Sequence, residues 1–318
     1  MKIDRIQNIR PELADDIVTV KITGNITEIR YMSSYCGGTT RKTSKYSGIN
    51  TLTNETVEFQ HNSNRAQDKA SVAQSLKRLR DLINTNLTDP ETALWVTLTY
   101  AKNMTDTEQL YEDFRRFWLR FKYYLKVNGL PKAEYIAAAE PQARGAWHLH
   151  CLFLFQCKAP FIPNPEMERL WKNEPKDKEK GKGFTKTKGL KGNDNPGLYL
   201  TAYLGDMEIN TDAADNADED ASPDCQSKQK KKSIIKGARM NLYPTGFNLY
   251  RHSQGVKYPT IIKDITEAEA QIMVGSVEPD YEKTIGFIDE NGEMVNFINY
   301  RQYNKAKRST QENENCSN

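Results

Sequence analysis

Trp147-His148-Leu149-His150-Cys151-Leu152-Phe153-Leu154-Phe155 is the stretch on which the fold of this chain turns. Two histidines one residue apart head an apolar run of strand length. Alternate strand residues point to one face, so His148 and His150 are expected side by side, with Cys151 turned away from them. Two imidazoles on one face of a rigid strand make a ready pair of metal ligands. The chain has only 4 histidines, so the spacing is no product of His-rich composition. Taken alone, such a pair is as often a polar surface pair or a hydrogen-bonded core pair. Its neighbours decide.

Upstream lies Tyr135-Ile136-Ala137-Ala138-Ala139-Glu140-Pro141-Gln142-Ala143-Arg144-Gly145-Ala146. This predicts a second strand with a carboxylate at its end, then a turn marked by Pro141 and Gly145. A hairpin brings the end of one strand beside the start of the next, so Glu140 is expected near the two histidines. Carboxylates suit hard cations and imidazole suits transition metals. The chemistry alone leaves Mn²⁺, Mg²⁺ and Zn²⁺ open.

Glu140, Gln142, Arg144, Gly145, His148 and His150 together resemble the metal motif of the HUH endonucleases, in which a bulky apolar residue separates two histidines. They are most similar to the rolling-circle replication initiators of single-stranded DNA phages and small plasmids, of the filamentous-phage gene II kind. Two further motifs follow the family's order. Leu94-Trp95-Val96-Thr97-Leu98-Thr99-Tyr100 is similar to its first, an apolar strand with threonines, and Gly197-Leu198-Tyr199-Leu200-Thr201-Ala202-Tyr203-Leu204 to its third, a tyrosine helix. The motifs lie within residues 90–210, and the likeness extends loosely to residue 305. The resemblance implies Mg²⁺ or Mn²⁺ held by Glu140, His148 and His150, and catalysis by Tyr199 and Tyr203.

The third motif also makes sense from its residues. Asp194-Asn195-Pro196 reads as a helix start, with Asn195 as cap and Pro196 in the first turn. Tyr199 and Tyr203 then share a helical face, one turn apart, although tyrosines so spaced are more often packing residues. A phenol is a weak nucleophile near neutral pH, its pKa being about 10, and a nearby divalent cation offsets this by polarising the phosphate. Attack on a DNA phosphodiester leaves a 5′-phosphotyrosyl link and a free 3′-hydroxyl. In the resembling family that 3′ end primes synthesis by a host polymerase. The family's lysine three residues after the tyrosine is missing. Ala202 stands there counted from Tyr199, and Asp206 counted from Tyr203. Tyr199 is taken as the first nucleophile and Tyr203 as a second or a helper.

Composition sets the surroundings. The chain has 318 residues, 45 Lys and Arg against 42 Asp and Glu, and a net charge of +3. Residues 206–224 are acidic and Ala-rich, the pattern of a solvated insertion. Basic stretches flank the tyrosine helix at Lys172 to Lys191 and at Lys228 to Arg239. Their distal ends read as lysine-rich flexible loops, yet a phosphate backbone has to pass here. Arg144, Lys188, Lys191, Lys230, Lys231 and Lys232 are therefore the expected DNA contacts, and some of these lysines stand in for the missing one. The 5 cysteines show no C-x-x-C spacing and read as reduced thiols. No apolar run reaches membrane-spanning length and no leader opens the chain, which predicts a cytoplasmic protein.

The expected fold class is α+β, an antiparallel sheet with helices packed on one face, in line with the ferredoxin- or RRM-like fold of the resembled family. Val18, Val20 and Ile22 alternate as a strand. Asn64 to Ile83 reads as an amphipathic helix, and Thr107 to Lys126 as another with Leu110, Phe114, Phe117, Phe121 and Leu125 inward. A short helix is expected near Glu166 to Trp171. Thr266 with Glu269 forms a capping-box pattern, and Asn291-Gly292 marks a hairpin. The expected divisions are 1–88 (strand and basic helix), 89–207 (nuclease core), 208–236 (acidic then basic insertion), 237–306 (extension with a hairpin) and 307–318 (disordered tail).

Three functions compete. The first is a replication initiator acting on single-stranded or hairpin origin DNA. It has no G-x-x-x-x-G-K-[ST] phosphate loop, so unwinding falls to a host helicase. The second is an HUH relaxase or single-strand transposase; relaxases commonly place the tyrosine before the histidines, whereas here it follows. The third is a non-enzymatic RRM-like module, which lacks an RNP aromatic motif and leaves Glu140 and the His pair unexplained.

Overall fold

The computed structural model describes residues 4–7, 17–33, 40–44, 46–51, 53–59, 64–142, 144–173, 181–190, 197, 201, 207–210, 232–235 and 238–307. The chain divides into two compact units. One comprises Met1–His61, Asp81–Thr88 and Lys257–Asn318, and the other Asn62–Arg80 and Asp89–Val256.

The first unit contains β1 (Asp4–Gln7), β2 (Ile17–Thr23), β3 (Ile26–Met32), β4 (Thr40–Lys42), β5 (Ser47–Asn50) and β6 (Thr56–Glu58). From the far end of the chain it takes β14 (Thr260–Thr266), β15 (Tyr281–Ile288) and β16 (Met294–Asn304). Its main sheet is antiparallel in the order β1-β15-β16-β3-β2-β14. Val18, Val20, Ile29, Tyr31, Phe297 and Tyr303 form a core with Ala270 and Val274. The last two belong to a helix over Glu267–Val274, opened by the expected capping box of Thr266 and Glu269. Arg301 grips Glu267 with two hydrogen bonds of 2.5 and 2.6 Å. The β15–β16 hairpin turns where Asn291-Gly292 predicts, with Gly292 at φ 82 and the Asp289 carboxylate accepting from Asn291 N and Glu293 N.

The helix α1 (Lys69–Asn86) contributes residues to both units. It starts later than its apolar pattern predicts. Asn64 caps only a short 3-10 turn, and the Asp68 carboxylate accepts from Ser71 N at the true start.

The second unit runs β7 (Ala93–Tyr100), α2 (Thr107–Val127), β8 (Ala133–Pro141), β9 (Trp147–Phe155), α3 (Asn164–Lys172) and β10 (Lys182–Lys188), followed by β11 (Met207–Asn210), β12 (Lys232–Ile235) and β13 (Tyr250–His252). Its main sheet is antiparallel in the order β10-β7-β9-β8-β13. The path β-α-β-β-α-β with this order is ferredoxin-like. β11 and β12 pair with each other.

The sequence of α2 explains its seat. Asp106 caps it, accepting from Glu108 N and Gln109 N. Leu110, Phe114, Phe117, Phe121 and Leu125 are all buried, as their spacing predicts. They pack on the residues of β7 and β9 that face this side: Val96, Leu98, Leu149, Cys151 and Phe153. Phe121 and Phe153 lie 4.6 Å apart between ring centroids. Met240, Tyr243, Phe247 and Leu249 join this core, so the aromatic segment after residue 238 packs inward and does not present its rings to a ligand. Among the described residues no helix is long and apolar enough to cross a membrane.

β10 corrects the reading of its region as a flexible basic loop. Lys182 pairs opposite Tyr100 and Thr185 opposite Leu98, with a bulge between them. Gly183 fills the bulge because a Cβ there would stand 2.4 Å from Thr99 Oγ1. Lys182 turns inward and reaches Asp113 at 3.3 Å, both side chains almost wholly buried. Its ammonium also lies 5.0 Å from the Trp171 ring centre, and Tyr100 Oη donates to Asp113 Oδ2 at 2.9 Å. Burial, then the Asp113 charge, hold the Tyr100 phenol well above its ordinary pKa, so this tyrosine stays protonated.

Candidate active site

The β8–β9 hairpin places the expected residues. Glu140 lies directly opposite His148, and Ala138 opposite His150. Directly opposed residues of an antiparallel pair share a face, so Glu140, His148 and His150 project together, away from α2. The loop closes with Gln142 N donating to Ala146 O and Gly145 N donating to Gln142 O, both at 2.8 Å. Gly145 takes φ 86 there, a conformation that glycine adopts without strain. On the opposite side Trp147 is buried, its indole donating to Thr105 O at 3.0 Å. Cys151 is buried among apolar residues, turned from the histidines as its parity predicts.

His150 sits in one rung that crosses the whole sheet: Lys186, Thr97, His150, Ala138 and Tyr250. Its ring stacks on Trp95, with centroids 5.3 Å apart and planes at 14°. Its Nδ1 lies 3.3 Å from the Thr97 hydroxyl, and its Nε2 touches Glu140 Oε2. Burial, then the Lys188 charge, lower the His150 pKa to about 4. Burial, then His150 and Arg144, lower that of His148 to about 4 as well. Both imidazoles are therefore neutral at pH 7. A neutral His150 hydrogen-bonds Glu140 without forming an ion pair.

Two neutral imidazoles and a carboxylate on one face are a donor set that fits a divalent cation. The side chains converge as a pair, Glu140 with His150. Among the described residues no group of three His, Cys, Asp or Glu gathers about one point. The Thr97 hydroxyl can serve either His150 tautomer, as donor to Nδ1 or as acceptor from Nδ1–H.

The remaining expected residues divide clearly. Arg144 is exposed in the hairpin loop, its Nε donating to Gln142 Oε1 at 3.2 Å, close enough to His148 to shift it. Lys188 ends β10 on the histidine face. Tyr199, Tyr203, Lys191, Lys230 and Lys231 lie outside the described residues, and only the backbone of Lys232 is described, in β12. Gly197 and Thr201 are helical, and the Thr201 hydroxyl donates to Gly197 O at 2.8 Å.

Residues 93–208 match the model of the Replication-associated protein family of the ORF2 and phage gene II protein type. Over this segment the chain is similar to a rolling-circle replication initiator family. The match spans β7 through the tyrosine motif, so it contains Glu140, His148 and His150. It supports a replication-initiator role, an endonuclease type of enzyme and binding to DNA. No curated protein and no solved structure matches the chain.

Residues around the histidine pair that sequence reasoning left aside are Trp95, Thr97 and Lys186. Thr97 is, by sequence, only one of the threonines of the first motif's strand, a residue type that strands favour. Its place in the first motif becomes informative only once the pairing with His150 is known. Lys186 had a local signal, the alternation Phe184, Lys186, Lys188, hidden by the polar composition around it.

Proposed function

We propose that this chain nicks and rejoins single-stranded DNA at an origin, through a tyrosine nucleophile beside a cation held by Glu140, His148 and His150. The single observation that carries the reading is the shared strand face of these three residues inside the family-matched segment. A bound Mg²⁺ or Mn²⁺ would act as a Lewis acid toward the scissile phosphate. Neutral His148 and His150 offer lone pairs at pH 7, and Glu140 offers negative charge. Thr97 and Trp95 fix the His150 ring. Arg144 and Lys188 supply positive charge at opposite ends of the site for the DNA backbone.

In the proposed step the Tyr199 oxygen bonds to phosphorus, the bond from phosphorus to the 3′ oxygen breaks, and that oxygen takes up a proton equivalent to the one the phenol gave up. The product is a 5′-phosphotyrosyl link with a 3′-hydroxyl that a host polymerase can extend, while a host helicase opens the duplex. Tyr203 is the second nucleophile or a helper.

The test is incubation with a single-stranded origin oligonucleotide and Mn²⁺ or Mg²⁺, followed by mass spectrometry of the protein. The expected product is a covalent adduct on Tyr199 or Tyr203 that His148→Ala and His150→Ala abolish while the fold survives. Nicking that persists in the double alanine variant sinks the metal assignment.

A further inference from the structure

The outer face of β10 carries, beside Lys188, two residues that the nicking chemistry does not use. From the bulge onward, Phe184, Lys186 and Lys188 alternate outward while Gly183, Thr185 and Thr187 turn in. Phe184 is 60% exposed, unusual for a large aromatic ring on a strand. Lys186 and Lys188 are exposed beside it. The strip lies on the same sheet face as the histidines. Lys186 shares the rung of Thr97 and His150, so its backbone stands two strand spacings, roughly 10 Å, from that of His150. The Phe184 carbonyl accepts from the Thr99 hydroxyl at 2.7 Å, which ties the aromatic end of the strip to β7. Among the described residues β10 ends the sheet, and it borders a groove of about 480 Å³ lined by Lys186, Lys188 and Phe161; Phe161 is 88% exposed.

We infer that this strip is a track for single-stranded DNA, in which Phe184 stacks on a base and Lys186 and Lys188 hold the backbone phosphates of the strand entering the histidine site. An aromatic platform beside lysines suits an unpaired strand, because a base within a duplex hides its face. The charge is complementary to phosphate, and the strip is continuous with the site through the Lys186–Thr97–His150 rung. The buried Lys182–Asp113 pair anchors the inward side of β10. Phe184 and Lys186 are therefore positioned by a rigid strand, not by a loop. This inference rests on the proposed nicking of single-stranded DNA and adds where that strand lies.

The experiment measures binding of the full chain to a labelled single-stranded oligonucleotide by fluorescence anisotropy, without added metal, over a salt series. Phe184→Ala is expected to weaken binding about tenfold, and Phe184→Trp to restore it. Lys186→Ala and Lys188→Ala are each expected to reduce the salt slope by about 0.7. The Phe184→Ala loss should be far smaller on a blunt duplex of the same length. Thermal unfolding checks that the variants keep the wild-type fold; all three side chains are exposed. Wild-type affinity in Phe184→Ala with unchanged slopes in both lysine variants overturns the track. The two proposals fail separately. A wild-type protein that binds through the strip yet nicks with no cation defeats the nicking reading alone. A wild-type protein that nicks, with Phe184→Ala and Lys186→Ala binding and nicking equally well, defeats the track alone.

Discussion

The Thr97 hydroxyl lies 3.3 Å from Nδ1 of His150, on the neighbouring strand. This leaves Nε2 as the nitrogen directed at Glu140. A partner on the far nitrogen fixes ring orientation, and its loss commonly lowers metal affinity or activity by about 10- to 100-fold. Thr97→Val keeps the β-branched shape and removes the hydroxyl. We expect it to cleave single-stranded DNA that much more slowly at limiting Mn²⁺, with a stability change of about 1 kcal/mol. Thr97→Ser should recover most of the rate. Full activity in Thr97→Val across a Mn²⁺ titration would show that the hydroxyl does not orient the ring.

Asp113 accepts from Tyr100 and Gln109 and faces Lys182. Removing one partner of a buried pair strands the other charge, at a typical cost of about 3–5 kcal/mol. Asp113→Ala should therefore lower the urea midpoint strongly and release β10 from the sheet, seen as faster amide exchange at Thr185 and Thr187. Unchanged exchange there would mean that β10 is held by its backbone ladder alone.

Tyr199→Phe should lose the initial DNA adduct, whereas Tyr203→Phe should still form it and fail in termination or strand transfer. Peptide mapping of the adduct decides. An adduct on Tyr203 with Tyr199→Phe fully active reverses the roles, and an adduct on neither tyrosine removes the covalent mechanism.

Burial raises the Glu267 carboxyl pKa, but hydrogen bonds from Arg301 and Gln271 and the guanidinium charge outweigh it, so the net shift is downward. The unfolded state then binds more protons than the folded state in the window between the two pKa values. The stabilisation is fully present above the ordinary carboxyl value and is lost as pH falls through the folded one. Glu267→Gln should be less stable than the parent at neutral pH, with the gap closing in acid. A gap of constant size down to acid pH would contradict this sign.

How much was legible depended on how local the signal was. The buried stripe of α2 and the strand carrying His148 and His150 each repeat within a few residues, and both formed as their spacing predicts. The opposition of Glu140 and His148 followed from hairpin parity alone. β10 was not legible, because an edge strand whose inward residues are Lys182, Thr185 and Thr187 has no apolar alternation to read. Its one buried charge is compensated by Asp113, far away in the sequence. The joining of β2 and β3 to β14 and β16 was equally hidden, since pairing between distant segments leaves no mark in either segment's own pattern. Asp68 as the true cap of α1 was masked by the equally good cap residue Asn64.

The β8–β9 loop closes between Gln142 and Ala146, and Glu140 faces His148 across it. Since successive strand residues alternate sides, sliding β8 against β9 by one position would leave Glu140 opposite a residue that points into the phenylalanine core. The carboxylate would then lie on the wrong side of the sheet while every neighbouring hydrogen bond could still form. The pairing of the two strands, with its apolar residues turned to the core, therefore keeps the carboxylate on the histidine side.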